Sequence, residues 1–296
     1  MDNSLKKFLE PKKVFHPAPT NVKSRGSTLT EIRAYIFDIY GTLLISASGD
    51  VGTAVGSGSA AAFRSALTAA GLADCPPSFY EKIKENFFRF IEESHRTSKE
   101  KGYPYPEVDI IKIWSKTLNK PETAALFPEI TQIEPKTAAT AYESIVNPVY
   151  PMPGMFELLR HPLLKGAELG IISNAQFYTS LIFDYISEGG LRSLGFNSDL
   201  CLFSYIQKRA KPDLKLFEEL SERLAKRGIS PSQTVYIGND MLNDIMPAAL
   251  SGYRTILFAG DRRSLRLRSD HDACKDIKPD VIVNNLIEII DYIQEG

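Results

Sequence analysis

The chain has 296 residues, of which 43% are hydrophobic and 24% are charged, and its 35 basic and 36 acidic residues give a net charge of −1. This composition is typical of a globular protein and excludes disordered and fibrous classes, and the near-zero net charge gives no general attraction for nucleic acid or an anionic membrane. There is no run of about 18 apolar residues and no apolar segment typical of a signal peptide, so we expect a cytoplasmic protein that binds a small molecule.

The first 29 residues mix Lys, Pro, Ser and Thr without a regular hydrophobic period, which predicts an extended arm or a loosely docked tail. The apolar run 34–37 then ends at Asp38, with Gly41 shortly after, as expected of a buried strand that stops at a turn. From about 45 to 149 a connector rich in Gly, Ser and Ala leads into helical patterns, with no convincing strand. These helices are predicted at about 60–71, 79–99, 107–118 and 135–146.

After the proline-rich segment 150–154, helices alternate with short apolar strands. These strands are predicted at about 168–173, 199–203, 234–238, 254–258 and 280–283. Such alternation predicts an α/β fold with a parallel, Rossmann-like sheet and helices on both faces. We assign residues 1–29 to an N-terminal extension, 30–44 and 150–296 to the α/β core, and 45–149 to a smaller all-helical domain. An insertion there would lie over the carboxyl ends of the strands, where open α/β sheets bind ligands, and could act as a lid.

Four polar clusters follow elements of the predicted core, and each also has an ordinary structural explanation. The first is the segment Asp38-Ile39-Tyr40-Gly41-Thr42. A carboxylate at a strand end is exposed to a crevice yet held by a rigid element, which suits a nucleophile. An aspartate at this position can equally cap a turn.

The second and third clusters could bind an anion. Ser173 and Asn174 end a predicted strand, where they could donate to an anionic oxygen or cap a helix. Lys211 precedes Pro212 and Asp213, two residue types that begin helices, so its cation would add to the anion-binding tendency of a helix N-terminus. A solvated lysine in a basic run explains the same sequence.

The fourth cluster is the segment 238–244, which places Asp240 and Asp244 four residues apart immediately after a predicted strand. Together with Asp38, these side chains could supply the oxygen ligands that Mg²⁺ prefers. Without a cation, three neighbouring carboxylates would repel one another and raise one another's pKa. A metal site is therefore the simpler interpretation, and surface turn acids are the alternative.

The order and spacing of the four clusters resemble those of the haloacid dehalogenase-like hydrolase superfamily. The match consists of DxYGT at 38–42, a Ser-Asn strand end at 173–174, KPD at 211–213 and GNDxxND at 238–244, within residues 33–260. The helical insertion between the first and second motifs also resembles the α-helical cap of that superfamily.

The resemblance implies a hydrolase that works through a covalent aspartyl intermediate, with Asp38 as the nucleophile. It implies catalytic roles for Asp38, Tyr40, Ser173 and Lys211. It implies substrate or phosphate binding by Gly41, Thr42, Ser173, Asn174 and Lys211. It implies a Mg²⁺ cofactor held by Asp38, the backbone carbonyl of Tyr40, Asn239, Asp240 and Asp244, the last either directly or from an outer position.

Tyr40 departs from the pattern, because phosphatases of the superfamily usually carry a second aspartate two residues after the nucleophile as general acid and base. A phenol with a pKa of about 10 is a poor substitute. DxYGT instead resembles 2-haloacid dehalogenases, in which the halide leaves without a proton. Asp240 and Asp244 indicate the opposite, because those dehalogenases need no metal and usually carry a Ser-Ser-Asn type segment there.

We give the acidic segment more weight and expect a Mg²⁺-dependent phosphatase of a small phosphorylated metabolite. The alternatives are a metal-independent 2-haloacid dehalogenase and a catalytically weak binding protein of the same fold. Two further patterns receive simple interpretations. The basic segment 262–268 is typical of a solvated loop, whereas Tyr103 and Tyr105, in a proline-rich turn of the insertion, are well placed to face a ligand.

Overall fold

The computed structural model describes residues 3–10, 14, 16–47 and 59–294, so most of the predicted Gly/Ser/Ala-rich connector lies outside the described residues. The strands are β1 (Arg25–Gly26), β2 (Ala34–Phe37), β3 (Leu44–Ser46), β4 (Val149–Pro151), β5 (Glu168–Ser173), β6 (Phe196–Phe203), β7 (Thr234–Gly238), β8 (Arg254–Phe258) and β9 (Val281–Val283).

The helices are α1 (Asn3–Leu9), α2 (Ala60–Ala69), α3 (Pro77–Glu100), α4 (Ile110–Leu118), α5 (Pro121–Ala124), α6 (Pro135–Val146), α7 (Met155–Leu159), α8 (Tyr178–Ile186), α9 (Gly190–Ser193), α10 (Ser204–Gln207), α11 (Leu214–Ala225) and α12 (Met246–Leu250). A π-helical turn, Met241–Ile245, leads into α12. Short 3₁₀ helices occur at Pro128–Gln132, Pro162–Leu164, Pro231–Gln233, Asp272–Cys274 and Leu286–Tyr292. Within the described part of the chain, no helix is long and apolar enough to cross a membrane.

The core is a seven-stranded sheet in the order β1-β9-β8-β7-β2-β5-β6. All neighbours are parallel except β1, which runs antiparallel to β9. In the central strand β2, Phe37 lies opposite Ile171 of β5 and Ile237 of β7, so the carboxyl ends of three strands meet directly before Asp38. The predicted Rossmann-like α/β fold is confirmed.

Strand β2 is buried on both faces, which explains its uninterrupted apolar sequence. Tyr35 and Phe37 pack in one hydrophobic cluster with residues of α7 and α8. Ala34 and Ile36 pack on the other face with residues of α11, including Phe217. Both faces of β2 are thus covered, and the polar clusters lie at the edge of the sheet where the strands end.

The helical insertion, α2 to α6, has a hydrophobic core of its own, which includes the fully buried Trp114. Where the chain leaves and re-enters the sheet domain, β3 and β4 pair antiparallel, with Ile45 opposite Tyr150. The expectation that no strand occurs between 45 and 149 is therefore wrong at its first residues. The paired segments have only three residues each, too few for a visible alternation.

The structure refines two other expectations. Of the two structures expected of the N-terminal extension, its described residues favour the extended arm over the loosely docked tail: β1 adds an edge strand to the sheet, Leu29 is buried, and its amide donates to the carbonyl of Tyr292. Strand β6 begins at Phe196 rather than at the predicted position of about 199. The prediction missed its first residues because residues 197–199 are polar and largely exposed, which interrupts the apolar pattern. Neither pairing has a local sequence signal, because each depends on a distant partner strand.

Candidate active site

Asp38 follows β2 at the centre of the sheet, where its backbone amide donates to the carbonyl of Ile237 at 2.9 Å. Its side chain is buried, and its Oδ1 atom accepts hydrogen bonds from Lys211 Nζ at 2.6 Å and from Ser173 Oγ at 3.0 Å. Among the residues that the structure describes, Oδ2 has no hydrogen-bond partner. The carboxylate is thus held by one oxygen, and the other is available to react.

Lys211 lies between two carboxylates, with Nζ 2.6 Å from Asp38 Oδ1 and 2.5 Å from Asp244 Oδ1. The hydroxyl of Tyr236 accepts a third hydrogen bond from Nζ at 3.1 Å and donates to the carbonyl of Ile172 at 2.8 Å. Burial by itself would lower the pKa of Lys211, but Asp244 and Asp38 outweigh it and raise this pKa above its usual value. The lysine is therefore a fixed cation beside the candidate nucleophile.

Asn174 holds the backbone of Lys211 rather than an open position. Its Oδ1 accepts from the Lys211 amide at 2.7 Å, and its Nδ2 donates to the Lys211 carbonyl at 3.4 Å. Oδ1 and one N–H of the Asn174 amide are therefore used to hold Lys211, and its predicted use as a substrate donor stays a prediction.

Asp244 has all its acceptor positions occupied inside the protein. Its Oδ1 faces Lys211, and its Oδ2 accepts from the backbone amides of Asn239 at 3.0 Å and Asp240 at 2.9 Å. Burial, together with the charges of Asp38 and Asp240, raises the pKa of Asp244 despite the opposing charge of Lys211. Asp244 orients the lysine and the turn after β7, and neither of its oxygens is open to a further ligand.

Asp240 is bound by a basic residue that the sequence analysis did not assign to the site. Its Oδ1 and Oδ2 accept from Arg268 Nε at 3.1 Å and Nη2 at 2.7 Å. The arginine belongs to the segment 262–268, and the backbone of this segment is bonded to that of the fourth cluster: the Met241 amide donates to the Arg266 carbonyl at 2.9 Å. The interpretation of this segment as a solvated loop is therefore wrong.

Gly41, Thr42 and Asn239 join the first cluster to the fourth. Thr42 is fully buried, and its hydroxyl donates to Asn239 Oδ1 at 3.1 Å, while Asn239 Nδ2 donates to the Ser264 carbonyl at 2.6 Å. Gly41 has φ of 86°, and a Cβ atom there would lie 2.5 Å from Ser264 Cβ. Only glycine fits this left-handed, crowded turn. The Thr42 hydroxyl is used internally, and the amides of Gly41 and Thr42 donate to the carbonyls of Leu44 at 2.7 Å and Ile39 at 3.2 Å. The substrate-binding role expected of these two residues therefore stays a prediction that this geometry does not favour.

Tyr40 is not aimed at the group around Asp38. Its hydroxyl is 2.7 Å from Thr179 Oγ1 in a buried position. Burial, and secondarily the charge of Glu143, raises the pKa of Tyr40 far above its usual value. A phenol in this setting stays protonated near neutral pH and does not release its proton, so the structure gives no support to a general acid at this position.

The helical insertion contacts the loop that follows Ser173 and the loop that carries Lys211. Glu107 accepts from Ser204 Oγ at 2.6 Å and from Gln176 Nε2 at 3.0 Å, and the Tyr105 carbonyl accepts from the Ala210 amide at 2.8 Å. The ring of Tyr103 lies 4.5 Å from the guanidinium of Arg209. Tyr103 and its neighbours thus hold the insertion against the sheet domain, and the ligand-facing role expected of the two tyrosines stays a prediction.

The donor set does not fit the predicted Mg²⁺ site. Asp240 is paired with Arg268, and Asp244 is fully bonded, which leaves Asp38 Oδ2 as the open carboxylate oxygen of the three. Within the described ranges, no group of three or more His, Cys, Asp or Glu side chains is arranged to hold a metal ion. A cation at Asp240 would first have to displace the arginine.

Two residues of this site, Tyr236 and Arg268, were missed in the sequence. Tyr236 lies in a fully buried strand two residues before Gly238, and a buried tyrosine usually needs a partner for its hydroxyl. Arg268 follows Asp240 by 28 residues, and the only signal was a basic segment near an acidic one. Opposite charges after adjacent parallel strands could have suggested the pairing, but not its geometry.

The site is a buried aspartate at the carboxyl edge of a parallel Rossmann-like sheet, paired with a lysine and faced by a helical insertion. This arrangement is typical of a hydrolase with an α/β core domain. The family model for haloacid dehalogenase-like hydrolases matches residues 32–252, and the chain belongs to this family. No curated protein matches the chain.

Among solved structures, a 2-haloacid dehalogenase from Pseudomonas syringae pv. Tomato DC3000 is 19% identical with a TM-score of 0.53, over 88% of this chain and 97% of that one. A predicted phosphoglycolate phosphatase from Haemophilus somnus is 16% identical with a TM-score of 0.48, and the magnesium-bound HAD-hydrolase YfnB from Bacillus subtilis is 18% identical with a TM-score of 0.47. Each of these two covers 88% of this chain and 97% of its own. At such identities the first similarity concerns the fold alone.

Proposed function

We propose that the chain hydrolyses a small anionic substrate through an ester between Asp38 Oδ2 and the substrate, and that the leaving group departs as an anion without taking a proton. The contacts of Asp38 carry this proposal. Lys211 and Ser173 fix Oδ1 at 2.6 and 3.0 Å, which orients Oδ2 for attack.

The environment of Tyr40 supports a leaving group that needs no proton. The family's phosphatases protonate a basic leaving group with an acid at this position, but the Tyr40 hydroxyl is bonded to Thr179 and buried. A halide needs no such proton. In the proposed reaction, Asp38 Oδ2 forms a bond to the carbon next to a carboxylate and the halide leaves. Water then cleaves the ester, which regenerates Asp38 and releases the 2-hydroxy acid and a proton.

The partners of Asp240 and Asp244 also support a 2-halo acid. The sequence favoured a phosphatase because Asp240 and Asp244 were expected to hold Mg²⁺, Asp244 either directly or from an outer position, whereas in the structure they bind Arg268 and Lys211. Attack on carbon needs no metal to neutralise the oxygens of a phosphoryl group. We therefore favour the 2-haloacid dehalogenase over the phosphatase, whereas the sequence favoured the phosphatase.

The test is halide release from 2-chloropropionate and 2-bromopropionate, with and without EDTA. We expect release that EDTA leaves unchanged, and none from a folded Asp38→Asn variant. In H₂¹⁸O with enzyme in excess, mass spectrometry should find ¹⁸O in the peptide that contains Asp38, because water attacks the carboxyl carbon of the ester. Activity retained by Asp38→Asn, or no label in that peptide during turnover, would remove Asp38 from the mechanism.

A second candidate is a Mg²⁺-dependent phosphatase of a small phosphorylated metabolite, and one observation favours it. Lys211 faces two carboxylates, so when both are ionised this buried group carries an excess negative charge, which a divalent cation would offset. A phosphate dianion would be repelled unless a further cation were added. Phosphate release that requires Mg²⁺ and stops with EDTA would support this candidate. Absence of turnover on halo-acid and phosphoester panels alike would leave a binding protein of the same fold.

A further inference from the structure

Arg268 binds Asp240 through two parallel hydrogen bonds, at 3.1 Å from Nε and 2.7 Å from Nη2. This fork geometry is the strong, directional form of an arginine–carboxylate pair. Asp240 is buried, with 5% of its surface exposed, whereas the side chain of Arg268 is 34% exposed. The carboxylate is thus a fixed part of the site, and the guanidinium approaches it from the solvent side.

The remaining acceptor capacity of Asp240 is also used. Its Oδ1 accepts from the amides of Leu242 at 2.9 Å and Asn243 at 3.3 Å, and its Oδ2 accepts from Asn243 Nδ2 at 3.1 Å. A carboxylate offers about four lone-pair positions. Asp240 therefore has no position left for a metal as long as Arg268 is bound, whereas loss of the guanidinium would open the side that faces solvent.

The segment that carries Arg268 is held in place by the backbone. Arg266 donates to the Asn239 carbonyl at 3.0 Å and accepts from the Met241 amide at 2.9 Å, one residue on either side of Asp240. Arg268 itself has φ of 50°, a conformation that few residues with a side chain adopt. The pairing of Arg268 with Asp240 is thus built into two segments in register, unlike a chance contact of a mobile surface chain.

We propose that Arg268 takes the position of a divalent cation at Asp240, so that guanidinium and metal compete for this carboxylate and Arg268 sets the metal requirement of the enzyme. This inference rests on the proposed function in one respect. If Arg268 neutralises Asp240, the proposed attack by Asp38 on carbon proceeds without a metal ion. Removal of the arginine would convert Asp240 into an open ligand at the same carboxyl edge of the sheet as Asp38, after the adjacent strand β7.

The test is calorimetric titration of the full chain with Mg²⁺ and with Mn²⁺ at pH 7.5, without substrate. We expect Arg268→Gln to bind Mn²⁺ and Mg²⁺ at least about tenfold more tightly than the unmodified protein. Adding Asp240→Asn to Arg268→Gln should abolish the gain. Arg254→Gln is the matched control, because it removes a comparable pair, Arg254 with Asp280 at 2.8 Å, from the amino end of β8.

Circular dichroism and thermal unfolding establish that each variant is folded. Arg268→Lys is a milder second variant that keeps the charge but loses the fork, and should show a smaller gain in affinity. The inference is overturned if neither folded Arg268 variant binds metal more tightly than Arg254→Gln, or if the gain survives Asp240→Asn. Because no substrate is present, this outcome is independent of the halide assay. If the unmodified protein releases no halide while Arg268→Gln gains metal affinity, the proposed function is rejected and this inference stands.

Discussion

Removal of the ammonium of Lys211 should destabilise the fold as well as stop the reaction. In Lys211→Met, the carboxylates of Asp38 and Asp244 stay buried without their shared cation, although the methionine fills a similar volume. Breaking a buried ion pair by removing one partner typically costs about 3–5 kcal/mol, far more than removal of an exposed charge. We therefore expect a loss of about 3–5 kcal/mol in the free energy of unfolding at pH 7.5.

The loss should depend on pH with a definite sign. In the intact protein the pKa of Lys211 is raised, so its stabilising contribution is complete at neutral pH and is lost only when the pH rises through that raised value. Burial already raises the pKa of Asp244, and in Lys211→Met the opposing charge of the lysine is lost, so the folded pKa of Asp244 rises further above its unfolded value of about 4. The folded state then binds more protons than the unfolded state, and the variant gains stability as the pH falls from 7.5 to 5.5.

The assay is urea unfolding at both pH values, with Lys215→Met as the control. Lys215 is exposed in the first turn of α11, and its substitution should change the free energy of unfolding by less than about 0.5 kcal/mol. Two results would refute the electrostatic reasoning: a loss for Lys211→Met below about 1 kcal/mol, or a loss that is equal at pH 7.5 and 5.5.

Three further substitutions test the geometry of the site. Tyr40→Phe should cost about 1 kcal/mol for its lost hydrogen bond and leave the pH profile of turnover unchanged; a shifted profile would restore Tyr40 as an acid or base. Gly41→Ala should lower the free energy of unfolding by about 3 kcal/mol, against about 1 kcal/mol for Gly166→Ala, which has a similar φ of 92° but no atom within 4 Å. Glu107→Gln should speed hydrogen exchange of the Ala210 amide, and equal exchange would mean that Glu107 does not hold the insertion.

Local sequence was sufficient for the elements that place the nucleophile. The run Ala34–Phe37 is apolar throughout because β2 is covered on both faces, and its end fixes Asp38 at the sheet edge. The helices α2, α3, α4 and α6 were visible for a similar reason, because each buries one face and therefore carries a hydrophobic period. The burial of a strand or helix determines the hydrophobic pattern of its own residues, so these elements can be predicted from local sequence.

Contacts between residues that are far apart in the sequence produce no such local pattern. Lys211 and Asp38 are 173 positions apart, and only the parallel register of the strands brings them within 2.6 Å. The sequence, through its motifs, predicted this meeting, but not that the lysine would also bind Asp244, nor that Arg268 would bind Asp240. The identity of an acidic residue does not reveal whether its carboxylate binds a metal, an arginine or water. The carboxylates of the site were therefore evident from the sequence, but their partners were decided by the tertiary structure.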